Sequence, residues 1–160
     1  MIRFRELTPD DLPLLLEWLQ RPHVKQWWDD GDSTLEQVAR RYSSRTETVK
    51  RYLLLLTEEN ETERAAGYFQ YYLTADGAGV DQFLANASDL GKGLGTAALR
   101  SFLDLVRERS GADKIIVDPS PNNLQAIRCY EKVGFRYVQT RTGAKGTPVY
   151  LMESVGRCGS

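Results

Sequence analysis

Apolar and polar residues alternate from Ile2 to Leu7, the period of two expected of a half-buried strand. The period then lengthens. Leu12, Leu15, Leu16 and Leu19 fall on one face of a helix, with Thr8 placed to cap it, Asp11 three positions on, and Pro22 to end it. Ser33 or Thr34 is the expected cap of a second helix through Tyr42. Val49 to Thr57 reads as a buried strand centred on Leu53 to Leu56, Glu58 to Glu63 as a polar turn, and Ala66 to Leu73 as a strand rich in Tyr and Phe. Thr74 to Gly79 closes a hairpin onto a strand from Val80 to Leu84, and a helical pattern covers Thr96 to Arg107 with a stop at Ser110-Gly111. Lys114 to Val117 is a buried strand, followed by the rigid Asp118-Pro-Ser-Pro121 loop. A helix capped by Asn122 or Asn123 runs to Val133 and ends at Gly134. Strands from Phe135 to Thr140 and Pro148 to Met152 flank a loop from Gly143 to Gly146. The order is strand, two helices, three strands, helix, strand, helix, two strands, which suits a mixed sheet covered by helices.

The chain is organised around one stretch of this pattern, Asp81-Gln-Phe-Leu-Ala-Asn-Ala-Ser-Asp-Leu-Gly-Lys-Gly-Leu-Gly-Thr96. A strand feeds three glycines at alternate positions, Gly91, Gly93 and Gly95, and these feed a helix. Glycines let backbone approach a ligand closely, and a helix start offers unpaired N–H groups and a partial positive charge, so the stretch makes a cradle for a phosphate. It is not a P-loop, which ends in Gly-Lys-Ser/Thr, nor the dinucleotide fingerprint, whose glycines are spaced Gly-x-Gly-x-x-Gly. An αβ turn without a ligand is the plain alternative.

At 160 residues the chain has room for one domain with its own core. An apolar fraction of 41% and a charged fraction of 27% are those of ordinary globular material. A net charge of −1 argues against nucleic acid as a partner, and no apolar run is long enough for a membrane span. No secretory signal pattern opens the chain, and Cys129 and Cys158 are too few for a disulfide framework or a zinc site, so a reducing cytoplasm is expected. The domain is expected over residues 1–154, with 155–160 as a tail.

The glycine stretch resembles the pyrophosphate loop of the GNAT N-acetyltransferases, whose pattern is Arg/Gln-x-x-Gly-x-Gly/Ala. Gly93 and Gly95 fit, whereas Leu90 stands where the Arg or Gln would. A second motif agrees. Asn123-Leu-Gln-Ala126-Ile-Arg-Cys-Tyr130-Glu-Lys-Val-Gly134-Phe135 matches the family's Asn-x-x-Ala-x-x-x-Tyr-x-x-x-Gly-Phe at every position. The element order matches over nearly the whole chain. The resemblance implies a single-domain α/β GNAT fold, a mixed, mostly antiparallel sheet of about seven strands flanked by about four helices. It also implies acetyl-CoA as co-substrate and no metal. The coenzyme would be held by Phe83, Leu84, Ala85, Leu90, Gly91, Lys92, Gly93, Leu94, Gly95, Thr96, Asn123, Ala126 and Tyr130.

Trp27-Trp28, the run Leu84-Ala-Asn-Ala-Ser88 and the Asp118-Pro-Ser-Pro loop go further and resemble the aminoglycoside 6′-N-acetyltransferases. In that group the residues matching Asp81 and Tyr130 act as base and acid, and the residue matching Asp118 contacts the antibiotic. The chemistry is consistent. An aliphatic ammonium must lose a proton before it attacks a thioester, and a carboxylate both attracts it and takes that proton. A phenol near pKa 10 can return a proton to a thiolate near 8.5. Backbone N–H groups from Phe83 to Ala85 would stabilise the oxyanion if the strand is bulged or splayed there. A polycationic substrate calls for an acidic site with an aromatic wall, for which Trp27, Trp28, Asp29, Asp30, Asp32, Asp81 and Asp118 are the candidates. One of the tryptophans being core, and the loop acids merely solvated, is the alternative.

The connection Thr74-Ala-Asp-Gly-Ala-Gly79 is shorter than in the antibiotic enzymes it resembles, with Asp76 its sole acid, which points to a more open acceptor site or a different aminoglycoside range. His23, Cys129 and the arginines Arg100, Arg107 and Arg109 read as a loop histidine, helix packing and a solvated face. A siderophore-pathway acetyltransferase acting on a lysine derivative, or an acyl-CoA-binding sensor without turnover, are the competing readings. A monomer or weak homodimer is expected.

Overall fold

The computed structural model describes residues 1–43 and 48–156. Cys158 and the last four residues of the expected tail lie outside the described residues. Seven strands run in the sheet order β1-β2-β3-β4-β5-β7-β6. Their bounds are β1 Ile2–Glu6, β2 Val49–Thr57, β3 Glu63–Thr74, β4 Gly77–Leu84, β5 Lys114–Val117, β6 Arg136–Thr142 and β7 Pro148–Val155. The helices are α1 Leu12–Leu19, α2 Pro22–Lys25, α3 Leu35–Tyr42, α4 Leu94–Ser110 and α5 Leu124–Lys132. The chain forms two compact units, Met1–Gln70 with Gln82–Lys92, and Tyr71–Asp81 with Gly93–Ser160.

In the first unit β1 pairs antiparallel with β2, Phe4 opposite Leu54 and Glu6 opposite Tyr52. Leu12, Leu15, Trp18 and Leu19 of α1 pack with Val24, Val38, Tyr42, Leu53, Leu55, Tyr68 and Ala85. Trp18 takes the place expected of Leu16, which is only partly buried, because an indole covers more apolar surface. Asp11 accepts from the Thr8 amide at 2.8 Å and takes both arms of Arg5 at 2.9 Å, tying the start of α1 to β1. Thr34 caps α3 in a reciprocal box with Gln37. Pro22, expected only as a stop, opens the one-turn α2, where a proline's missing N–H costs nothing.

In the second unit α4 carries the crossover between β4 and β5, which pair parallel, as such a connection requires. β7 pairs antiparallel with both β5 and β6. Ala98, Leu99, Phe102, Leu103 and Val106 form the buried stripe of α4, and the left-handed Gly111 ends it. β7 runs on to Val155, and the Gly156 amide donates to Asp113 O at 2.8 Å.

The hairpin turn differs from expectation. Only Ala75 and Asp76 turn; Gly77 and Gly79 lie within β4. They are small because neighbours crowd them. A Cβ on Gly77 would stand 2.1 Å from Lys114 O, and one on Gly79 would stand 2.1 Å from the Tyr72 ring.

Candidate active site

The parallel pairing of β4 with β5 covers two positions, Ala78 opposite Ile115 and Gly79 opposite Ile116. Two residues further on come Asp81 and Asp118. Asp81 is still within β4, whereas Asp118 lies just past the end of β5; both act electrostatically on Tyr72 of β3, so they face one region of the second unit. Both are half-buried. Burial pushes the Asp118 carboxyl above the usual aspartate value, against the pull of Arg141. Arg141, on β6 opposite Val149, acts on Tyr72 as well and so faces this same region.

Gly93 takes the left-handed conformation at φ 82° and starts α4 without any side-chain cap. No acid lies in the first turn of this 17-residue helix. Helices ordinarily occupy their first N–H groups with a Ser, Thr or Asp side chain; here those of Leu94, Gly95 and Thr96 are left for something else. The helix therefore begins two residues earlier than the apolar pattern indicates, inside the glycine repeat. Gly91 is likewise left-handed at φ 73°.

Asn123 caps α5, its Oδ1 accepting from the Ala126 amide at 3.2 Å. That occupies the amide oxygen expected for the coenzyme and leaves its NH₂. Tyr130, on the buried side of α5, meets the Phe135 ring edge-on at 5.5 Å, and the Phe135 amide donates to Tyr130 O at 3.0 Å. Thr96 Oγ1 lies 3.5 Å from Cys129 Sγ, which gives this cysteine a packing role between α4 and α5. Arg100 donates to Lys132 O and Arg107 to Ser154 Oγ, so these two arginines fasten neighbouring elements rather than only facing solvent.

The first unit holds the remaining candidates. Trp28 packs edge-on against Tyr68 and Phe83 and donates to the Tyr42 hydroxyl at 3.0 Å, so it is partly buried against the core; Trp27 is 45% exposed and keeps an open face. Phe83 stacks on Tyr68 at 5.6 Å, which leaves its backbone rather than its ring for a ligand. Asp32 is buried and paired with Arg41 at 2.9 Å, so its charge is spent inside the fold, contrary to expectation. Asp29 accepts from the Gly31 amide in a local turn. The Ala85 amide donates to Ala66 O at 2.8 Å, which removes it from the expected oxyanion donors.

Two contacts here carry no sequence motif. His23 Nε2 donates to Leu84 O at 2.9 Å, and Arg21 Nη1 donates to Ala85 O at 2.7 Å and to Asn86 Oδ1 at 2.6 Å. Together they hold consecutive carbonyls at the end of β4, which also explains the asparagine in Leu84-Ala-Asn-Ala-Ser88. Arg64 grips Asp89 through two bonds, at 3.0 and 2.9 Å, and holds its carboxyl below the usual aspartate value. Leu90 and Lys92 are exposed. No group of three or more His, Cys, Asp or Glu side chains able to hold a metal occurs among the described residues.

The model of the acetyltransferase (GNAT) domain family matches residues 8–142. Aminoglycoside N(6′)-acetyltransferase type 1 of Klebsiella pneumoniae is 39% identical over 96% of the chain and 83% of its own length. A solved structure of AAC(6′)-Ib with parmomycin and acetyl-CoA superposes with a TM-score of 0.85 at 39% identity, over 96% of this chain and 93% of the other. The same enzyme with coenzyme A and kanamycin gives 0.84 at 38% identity, over 97% and 95%.

Proposed function

Since the chain belongs to the GNAT acetyltransferase family, among its aminoglycoside 6′-N-acetyltransferases, we propose that it moves the acetyl group of acetyl-CoA to the 6′-amine of an aminoglycoside by direct attack in a ternary complex. The observation that carries the residue assignment is that two half-buried carboxylates, Asp81 and Asp118, both act on Tyr72 just past the end of the β4–β5 ladder. They form an anionic seat for an ammonium. Asp81 is the base and Asp118 an acceptor-binding residue.

The amine enters as a cation, drawn by both carboxylates. It first gives one proton to Asp81, directly or through a water, which frees the lone pair that then forms the C–N bond with the thioester carbonyl; the acidic N–H of the resulting adduct loses its second proton to solvent. Backbone N–H groups of Phe83 and Leu84 take the developing oxyanion charge. When the C–S bond breaks, Tyr130 protonates the departing thiolate. The diphosphate of the coenzyme lies on the uncapped start of α4 at Gly93, Leu94, Gly95 and Thr96, with Leu90, Gly91 and Lys92 leading into it; Ala85, Ala126 and the free NH₂ of Asn123 line its pantetheine arm. Trp27 offers its exposed ring to a sugar, with the partly buried Trp28 as the second aromatic candidate; Asp29 adds negative charge nearby in sequence.

Tyr130→Phe keeps the contact with Phe135 and removes one proton donor. A thiolate near pKa 8.5 is a tolerable leaving group, so kcat is expected to fall about tenfold, less than the roughly 10²- to 10⁴-fold usual for a general acid or base. Unchanged kcat in steady-state assays would remove Tyr130 as the acid.

The acceptor class is tested by mass spectrometry after incubation with acetyl-CoA. Kanamycin is expected to gain one acetyl group. Turnover of a hydroxylated lysine with no product from any aminoglycoside would favour the siderophore alternative, and coenzyme binding with no product from any amine would favour a sensor. No described helix is long and apolar enough to cross a membrane. A cytoplasmic monomer or weak homodimer completes the proposal.

A further inference from the structure

Tyr72 lies on β3, and no motif points to it. The hydroxyl end of its ring lies against Gly79, where the absent side chain makes room for it. Gly79 shares its sheet face with Asp81, and Asp118 follows directly on β5, the strand that pairs with β4 at Gly79. The phenol is thereby set before both carboxylates, and it is coupled electrostatically to Asp81, Asp118 and Arg141. Burial first, then the two acids, push its pKa well above the ordinary value, with Arg141 opposing them, so the hydroxyl stays neutral throughout the working range. Tyr72 is half-buried, and its hydroxyl makes no hydrogen bond to any of the described residues, which leaves it open to a ligand.

We propose that Tyr72 is an acceptor-binding residue whose hydroxyl takes a third place, beside Asp81 and Asp118, around the ammonium to be acetylated. The assignment rests on the aminoglycoside reading above. A hydroxyl suits this place because it accepts from an N–H with one lone pair and donates its own proton to a carboxylate. It thereby binds the cation and separates two like charges without adding charge. Gly79 is part of the device, since any side chain there would displace the ring.

The test compares wild type with Tyr72→Phe, kanamycin being varied at saturating acetyl-CoA and then the reverse, with coenzyme affinity measured by calorimetry. The variant loses one oxygen and keeps its packing. The expected result is a rise of about tenfold in KM for kanamycin, as for a lost hydrogen bond to a charged group, with KM and Kd for acetyl-CoA unchanged. Gly79→Ala keeps the hydroxyl but moves the ring, and is expected to raise the same KM. An unaltered kanamycin KM in Tyr72→Phe, or a parallel rise in both substrates' KM values, would overturn the assignment while leaving the aminoglycoside reading intact. A wild-type enzyme that acetylates no aminoglycoside would overturn that reading, and the assignment with it.

Discussion

Asp81→Asn is expected to lower kcat by about 10²- to 10⁴-fold while leaving the affinity for acetyl-CoA within about twofold of wild type, the range ordinarily lost with a positioned general base. Asparagine has the shape of aspartate and keeps a carbonyl oxygen that an ammonium can donate to, but it cannot take a proton at neutral pH. The loss should therefore fall on turnover rather than on assembly of the ternary complex. Asp118→Asn provides the contrast. Both acids lie two residues past the last rung between β4 and β5, yet Asp118 is assigned to binding, so its variant should chiefly raise KM for the acceptor. Steady-state kinetics with calorimetry of acetyl-CoA separates the two. A turnover of Asp81→Asn within a few-fold of wild type would reject the base role, and equal effects on kcat from both variants would reject the division of labour.

Much of this was legible from local pattern. The strand from Val49 to Thr57 and that from Lys114 to Val117 match their apolar runs residue for residue, because a buried run bounded by polar turns leaves little choice. Thr34 and Asn123 sit where capping chemistry places them. What the pattern could not show depends on contacts distant in sequence. Gly77 and Gly79 read as turn residues, since a sequence does not reveal that Lys114 O and the Tyr72 ring come up against them. Asp32 reads as a candidate acid of the substrate site or a solvated loop acid; its pairing with Arg41 follows only from the packing of α3. The two tryptophans cannot be told apart as neighbours in a string, whereas the fold packs Trp28 against Phe83 and leaves Trp27 open. Asp81 and Asp118 were named through a family motif. That both act on one tyrosine follows from the tertiary fold, which no single-strand pattern contains. Tyr72 had no motif at all and emerges only from that placement and the space over Gly79.

Gly93→Asp is the variant expected to damage coenzyme binding most. Gly93 has φ 82°, where an ordinary L residue is strained by roughly 1–2 kcal/mol, and it heads a helix whose first N–H groups carry no side-chain cap. Aspartate tolerates this region better than most residues, so the fold should survive. Its carboxylate, however, stands at the positive end of α4, where the diphosphate would lie. It competes for the same donors and repels the ligand. Losing two hydrogen bonds to a charged group corresponds to a rise of about 100-fold or more in Kd for acetyl-CoA. Gly93→Asn separates backbone from charge. It accepts the same φ and can form the same local bonds but brings no negative charge, so its Kd should rise by about tenfold or less. Calorimetry of acetyl-CoA binding, alongside thermal unfolding of each variant, decides the matter. If Gly93→Asp binds the coenzyme as tightly as wild type with an unchanged melting temperature, the phosphates do not lie on α4, and the thioester no longer has a reason to be delivered beside Asp81.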